Sequence, residues 1–201
     1  TLAWTRNEAF GDWIVNGSLS LFERRLASES RTQRTDVDAA TAQPVLERES
    51  SSESRETRRG LHASARMQWR NDQGASLMLM PLLIANEGRT RADGTIGQTL
   101  GADPPDYVAS RSVTDGRFTL ARLNTTLSHR AGGGLRLEWR AGFADGRWRS
   151  TQQRLEFDAA DALVRTIDER TDNRDRNATL SLKGSALLGD GHNIVGGLEL
   201  E

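Results

Sequence analysis

Residues 61–70 read LHASARMQWR, and the same pattern recurs along much of the chain. Apolar side chains occupy the odd positions of this stretch, from Leu61 to Trp69, and polar ones occupy the even positions, from His62 to Arg70. Successive side chains of a β-strand point to opposite faces of the sheet. Such strict alternation therefore predicts a strand with one apolar and one polar face.

The same alternation recurs in three further stretches, at 13–21, 135–143 and 178–183. Two others depart from it. Residues 76–84 are apolar on both faces around Pro81, and the alternation changes phase within 117–130. We predict an all-β protein of about seven strands plus a truncated leading one.

Short and long connections alternate along the chain. The short ones are rich in Gly, Asn and Asp, which tolerate the positive φ of hairpin turns; they lie at 71–74, 131–134 and 189–192, with a looser turn at about 6–12. Polar excursions separate them, at about 26–57, 86–116 and 145–176. We expect these to be partly strand, with arms of about 25 residues, or roughly 80 Å. The stretch 94–108, GTIGQTLGADPPDYV, is instead expected to be an irregular loop.

Apolar residues concentrate within about ten residues of a short turn, which matches the ~25 Å apolar belt of a tilted membrane strand. A soluble β-sandwich is the main alternative, but its strands usually run to about five or six residues. We therefore predict an antiparallel meander of long hairpins with all short turns at one end. This meander would form part of a large transmembrane β-barrel.

Composition excludes several classes of protein. The chain has no Cys, a formal net charge of −1 and a mean hydropathy of −0.61. It therefore has no disulfide framework, and its charge does not favour a nucleic-acid partner. No apolar run is long enough for a transmembrane helix. Because Thr1 is not a start residue and no signal peptide follows, we expect residues 1–201 to be a single segment of a larger barrel.

Four stretches resemble mid-barrel strands of TonB-dependent outer-membrane receptors: GDWIVNGSLSLFERR, RRGLHASARMQWRNDQGASLMLMP, GGGLRLEWRAGFADGRW and GDGHNIVGGLELE. Members of that family are large single-chain barrels with a plug domain in the lumen. They import ferric siderophores, cobalamin, haem or sugars, driven by the inner-membrane TonB complex. The resemblance implies outer-membrane lipid, a plug domain in the parent chain, the TonB complex and a ligand such as a ferric siderophore as partners. A passive porin-like barrel and a soluble β-sandwich binding module remain alternatives.

Charged residues on the polar faces near the short turns are predicted to line a wet lumen, because charge at membrane depth is tolerated only there. They would contact plug or substrate, or pair with one another around the wall. These candidates are Arg66, Arg70, Arg122, Arg136, Glu138, Arg140, Lys183, Glu199 and Glu201. Trp13, Trp69 and Trp139 are candidates for an interfacial aromatic girdle, with plain packing as the alternative.

No stretch of the sequence points to catalysis. His62, His129 and His192 lack the spacing of metal ligands, and the glycine-rich ADGTIGQTLG stretch has no strand-to-helix context for a phosphate loop. We assign no nucleophile, no acid/base pair and no cofactor, and we expect the protein not to be an enzyme.

Overall fold

The computed structural model describes residues 1–188 and 192–200. They form one sheet in which eight strands pair antiparallel in sequence order. The strands are β1 (Leu2–Phe10), β2 (Trp13–Val37), β3 (Pro44–Arg70), β4 (Ser76–Leu100), β5 (Ala109–Arg130), β6 (Leu135–Phe157), β7 (Leu163–Leu188) and β8 (His192–Leu200). The described residues include no helix long and apolar enough to cross a membrane.

The predicted antiparallel meander of long hairpins is confirmed. Residues 13–25 pair with 57–69, 76–87 with 117–128, and 135–148 with 173–186. The turns at 11–12, 71–75 and 131–134 lie at one end of the sheet, as expected. The fourth short turn, predicted at 189–192, falls outside the described residues except for His192.

Two predicted boundaries were wrong. The looser turn expected at about 6–12 is a strand up to Phe10, followed by a tight turn through Gly11, which has a φ of 55°. The expected loop at 94–108 is strand up to Leu100, because the neighbouring arm of β3 supplies hydrogen-bonding partners for it. Of the expected loop, only residues 101–108 lie outside the strands.

The two stretches with irregular patterns are also continuous strands. Pro81 sits inside β4, where the β3–β4 pairing skips from Ser64–Leu82 to Met67–Leu79. Because proline has no N–H to donate to the ladder, a local opening is expected at this point. In β5 the register continues unbroken, so the phase change only moves apolar side chains such as Phe118 to the opposite face.

Antiparallel partners share a face, so the register assigns every strand residue to one of two faces. Face 1 carries Trp139 and face 2 carries Arg140. The predicted division is confirmed. Face 1 holds Leu61, Ala65, Trp69, Leu137, Phe143, Leu180 and Leu182, whereas face 2 holds Arg66, Arg70, Arg136 and Lys183.

The sheet is open and single-layered. β1 and β8 form its two edges, and no hydrophobic side chain of the described residues is buried. A β-sandwich needs a second sheet packed on the first. The described residues supply only one, so the sandwich alternative is wrong for this fold. Both faces of the sheet therefore remain available to partners.

Candidate membrane-facing and ligand-facing surfaces

Face 1 carries an uncharged band next to the short turns. On each of β2–β7 a run of five face 1 positions close to the turn lacks Asp, Glu, Lys and Arg, and in β5 this run extends from Leu127 to Thr119. Large side chains in the band are open to the surroundings: Leu83 is 46% exposed, Leu123 43% and Phe143 51%. A contiguous exposed apolar surface of this extent marks a contact with a membrane or another protein.

The candidate girdle residues Trp13, Trp69 and Trp139 all lie on face 1. Trp13 is directly opposite Trp69, next to the short turns. The structure adds Phe10, which lies opposite Trp13 and continues the aromatic row onto β1. Sequence reasoning missed Phe10 because it placed this residue inside a turn.

The candidate lumen residues all lie on face 2. This holds for Arg66, Arg70, Arg122, Arg136, Glu138, Arg140, Lys183 and Glu199, while Glu201 falls outside the described residues. Within the described residues, mutual pairing is limited. Glu138 accepts from Arg140 at 2.6 Å, and the Arg136 Nε donates to the buried Ser128 hydroxyl at 2.9 Å.

A depression of about 630 Å³ opens on face 2 where Pro81 interrupts the ladder. Arg66 and Arg122 contribute two guanidinium groups to its lining, and Asn16 and Asn124 contribute two amides. Guanidinium groups favour carboxylate and other planar oxygen ligands, which they bind through two parallel N–H donors. The depression therefore suits a ligand rich in anionic or carbonyl oxygens.

Farther from the short turns, face 2 holds a buried charge cluster. Glu156 is only 1% exposed and lies between Arg154, at 3.0 Å, and Arg165, at 2.6 Å. The Arg154 guanidinium also donates to the Tyr107 hydroxyl and stacks on its ring at 5.0 Å. The hydrogen bond to Glu156 raises the pKa of Arg165 further above its ordinary value.

Through Tyr107, the cluster holds the 101–108 segment against face 2. Neutral polar side chains lie next to this segment. Ser50, Ser52, Ser110, Ser112 and Gln152 line the adjoining depression of about 270 Å³. Sequence reasoning missed this site, because Tyr107 and Arg154 are 47 residues apart and only the strand register brings them together. Hydroxyl and amide groups can bind a polar, neutral or oxygen-rich molecule.

Within residues 1–188 and 192–200, no three His, Asp or Glu side chains converge in a way that could hold a metal ion. His62, His129 and His192 lie on three different strands, β3, β5 and β8.

No protein-family model matches this chain, and no curated protein matches it. The resemblance to TonB-dependent receptors therefore stays a prediction that no relative tests. The features that bear on function are the uncharged band of face 1 and the two polar depressions of face 2.

Proposed function

We propose that this chain is a segment of an outer-membrane β-barrel of the TonB-dependent receptor class, importing a scarce nutrient, most often a ferric siderophore. The observation that carries the proposal is the uncharged band of face 1. It spans about ten residues on each of six strands, close to the ~25 Å apolar belt of transmembrane barrels. None of the thirty uncharged positions of this ordered band is buried, and lipid is the surrounding that suits them best.

In this proposal, face 2 is the lumen wall. Charges such as Arg66, Arg122 and Glu138 lie at membrane depth but point away from lipid, which is the arrangement that membrane barrels tolerate. Few of these charges are neutralised within the described residues. A plug domain or a ligand would therefore find unsatisfied guanidinium groups to bind.

The long arms would capture the ligand. Beyond the band, β2 extends from Glu23 to Val37, which corresponds to roughly 50 Å of strand. The cluster of Tyr107, Arg154 and Glu156 holds a connecting segment on the lumen side of these arms. Rigid strands that present a fastened loop provide the preorganised surface that ligand capture requires.

Two experiments test the proposal in the producing bacterium. An epitope inserted at Ala160, in the turn between β6 and β7, should label intact cells, and the protein should fractionate with the outer membrane. Recovery in the soluble fraction would contradict the membrane placement.

Deletion of the gene should abolish uptake of at least one ferric siderophore under iron limitation. A protonophore should abolish the same uptake in the wild type, because the TonB complex needs the proton-motive force. Uptake that is indifferent to the protonophore would favour the porin-like alternative.

A further inference from the structure

Face 1 changes from uncharged to arginine-rich in a single step at the end of the band away from the short turns. The first three face 1 positions beyond the band on β2–β7 comprise eighteen residues, of which ten are Arg and five are acidic, leaving five net positive charges. The arginines are Arg25, Arg55, Arg59, Arg89, Arg91, Arg117, Arg147, Arg149, Arg174 and Arg176. We call these ten residues the arginine belt.

The opposite face shows no such enrichment at the same height. The eighteen intervening face 2 positions hold two arginines, Arg24 and Arg58, and two carboxylates, Glu56 and Asp175. Their charges cancel. The excess of guanidinium groups therefore belongs to the face that carries the uncharged band and is not a general property of the arms.

Carboxylates within the belt hold arginines in pairs. Glu87 accepts from Arg59 at 2.6 Å and Arg117 at 3.0 Å, and these hydrogen bonds lower the pKa of Glu87. Asp145 likewise bridges Arg174 and Arg176. Glu87 thus holds guanidinium groups from two strands, β3 and β5, whereas Asp145 holds two from β7. Each of these guanidinium groups has further N–H donors.

Arg55 and Arg91 contact no carboxylate within the described residues. Both line a depression of about 1050 Å³ in the arginine belt. A second depression of about 860 Å³ adjoins it on the side of the uncharged band, where Leu21 and Leu61 contribute to its lining. Arg59 belongs to both depressions, so the basic and apolar surfaces are continuous.

We propose that the arginine belt and the adjoining apolar depression bind a phosphorylated membrane lipid. The acyl chains would lie against Leu21 and Leu61, and the headgroup phosphate against Arg55, Arg91 and the paired guanidinium groups. A phosphorylated lipid fits this site because its anionic headgroup complements the arginines, and its acyl chains match the apolar depression beside them. The inference rests on the proposed membrane placement of face 1.

Binding is measured on the full chain folded in nonionic detergent micelles doped with dioleoylphosphatidic acid. Dioleoylglycerol supplies the same acyl chains without phosphate, and inorganic phosphate supplies the anion without chains. Only the phosphatidic acid should bind tightly. Equal binding of dioleoylglycerol would overturn the phosphate contact, and equal binding of inorganic phosphate would show an anion site without lipid specificity.

The double variant Arg55→Gln/Arg91→Gln should weaken phosphatidic acid binding by roughly 10- to 30-fold, since each arginine near a membrane surface contributes about a fivefold factor in affinity. The matched control, Arg24→Gln/Arg58→Gln on face 2, should bind like the wild type. An equal loss in both variants, or in neither, would refute the inference. Circular dichroism confirms folding, and Arg91→Gln alone replaces the double variant if that one misfolds.

The outcome is separable from that of the receptor proposal. Failure of siderophore uptake despite normal outer-membrane fractionation, together with face-specific phosphatidic acid binding, would remove the receptor function and keep the lipid site. Normal fractionation and uptake without that binding would keep the receptor function and remove the lipid site.

Discussion

The substitution Leu123→Arg tests whether face 1 contacts lipid. Leu123 is the middle of the five uncharged face 1 positions on β5, directly opposite Pro81 and Phe143, and it is 43% exposed. If the band spans a bilayer, Leu123 lies near the midplane. An arginine on the lipid face there costs about 2–4 kcal/mol. In water, a substitution at so exposed a site would change stability by only about 0.5 kcal/mol.

Asn124→Arg is the matched control, because it adds the same side chain one residue along on face 2. In a wet lumen it should change stability by about 0.5 kcal/mol or less. The assay is urea unfolding of the protein folded in phospholipid vesicles, followed by tryptophan fluorescence. Equal small effects of both variants would refute the lipid contact of face 1. A larger loss for Asn124→Arg would mean that face 2, not face 1, meets the lipid.

Three further predictions concern the sheet itself. Gly60→Ala should destabilise the protein by about 1–3 kcal/mol in thermal or urea unfolding, because the new Cβ would lie 2.8 Å from the Ala85 carbonyl oxygen. Gly97→Ala, whose Cβ would have nothing within 4 Å, should be tolerated. Equal effects of the two substitutions would contradict this. Hydrogen bonds from the Thr41 N–H and hydroxyl lower the pKa of Asp38, so its contribution is present above the unfolded pKa of about 3.9 and lost as pH falls through the lower folded value. The deficit of Asp38→Ala in pH-dependent unfolding should therefore vanish in strong acid, and a constant deficit would argue against it. Because edges β1 and β8 are open and unpaired edges recruit other strands, light scattering in detergent-free buffer should show self-association, and a monodisperse monomer would disprove this.

The sequence alone determined the strand class, the position of most turns and the division of residues between faces. These properties are local. Alternation in 61–70 or 135–143 follows from the two-residue period of a strand, and a glycine-rich turn such as 131–134 reverses the chain without help from distant residues. For this reason Trp139 and Arg140 could be assigned to opposite faces before any partner strand was known.

The tertiary structure decided what depends on register. The strand character of 94–100 comes from pairing with β3, whereas the sequence had predicted an irregular loop around Pro104 and Pro105. Tyr107, Arg154 and Arg165 gather around the buried Glu156 only because the 101–108 segment, β6 and β7 align at one height. The arginine belt has the same origin, since charges that look scattered along the chain become one row when six strands are placed side by side. Register is set by contacts between strands, and no single strand encodes it.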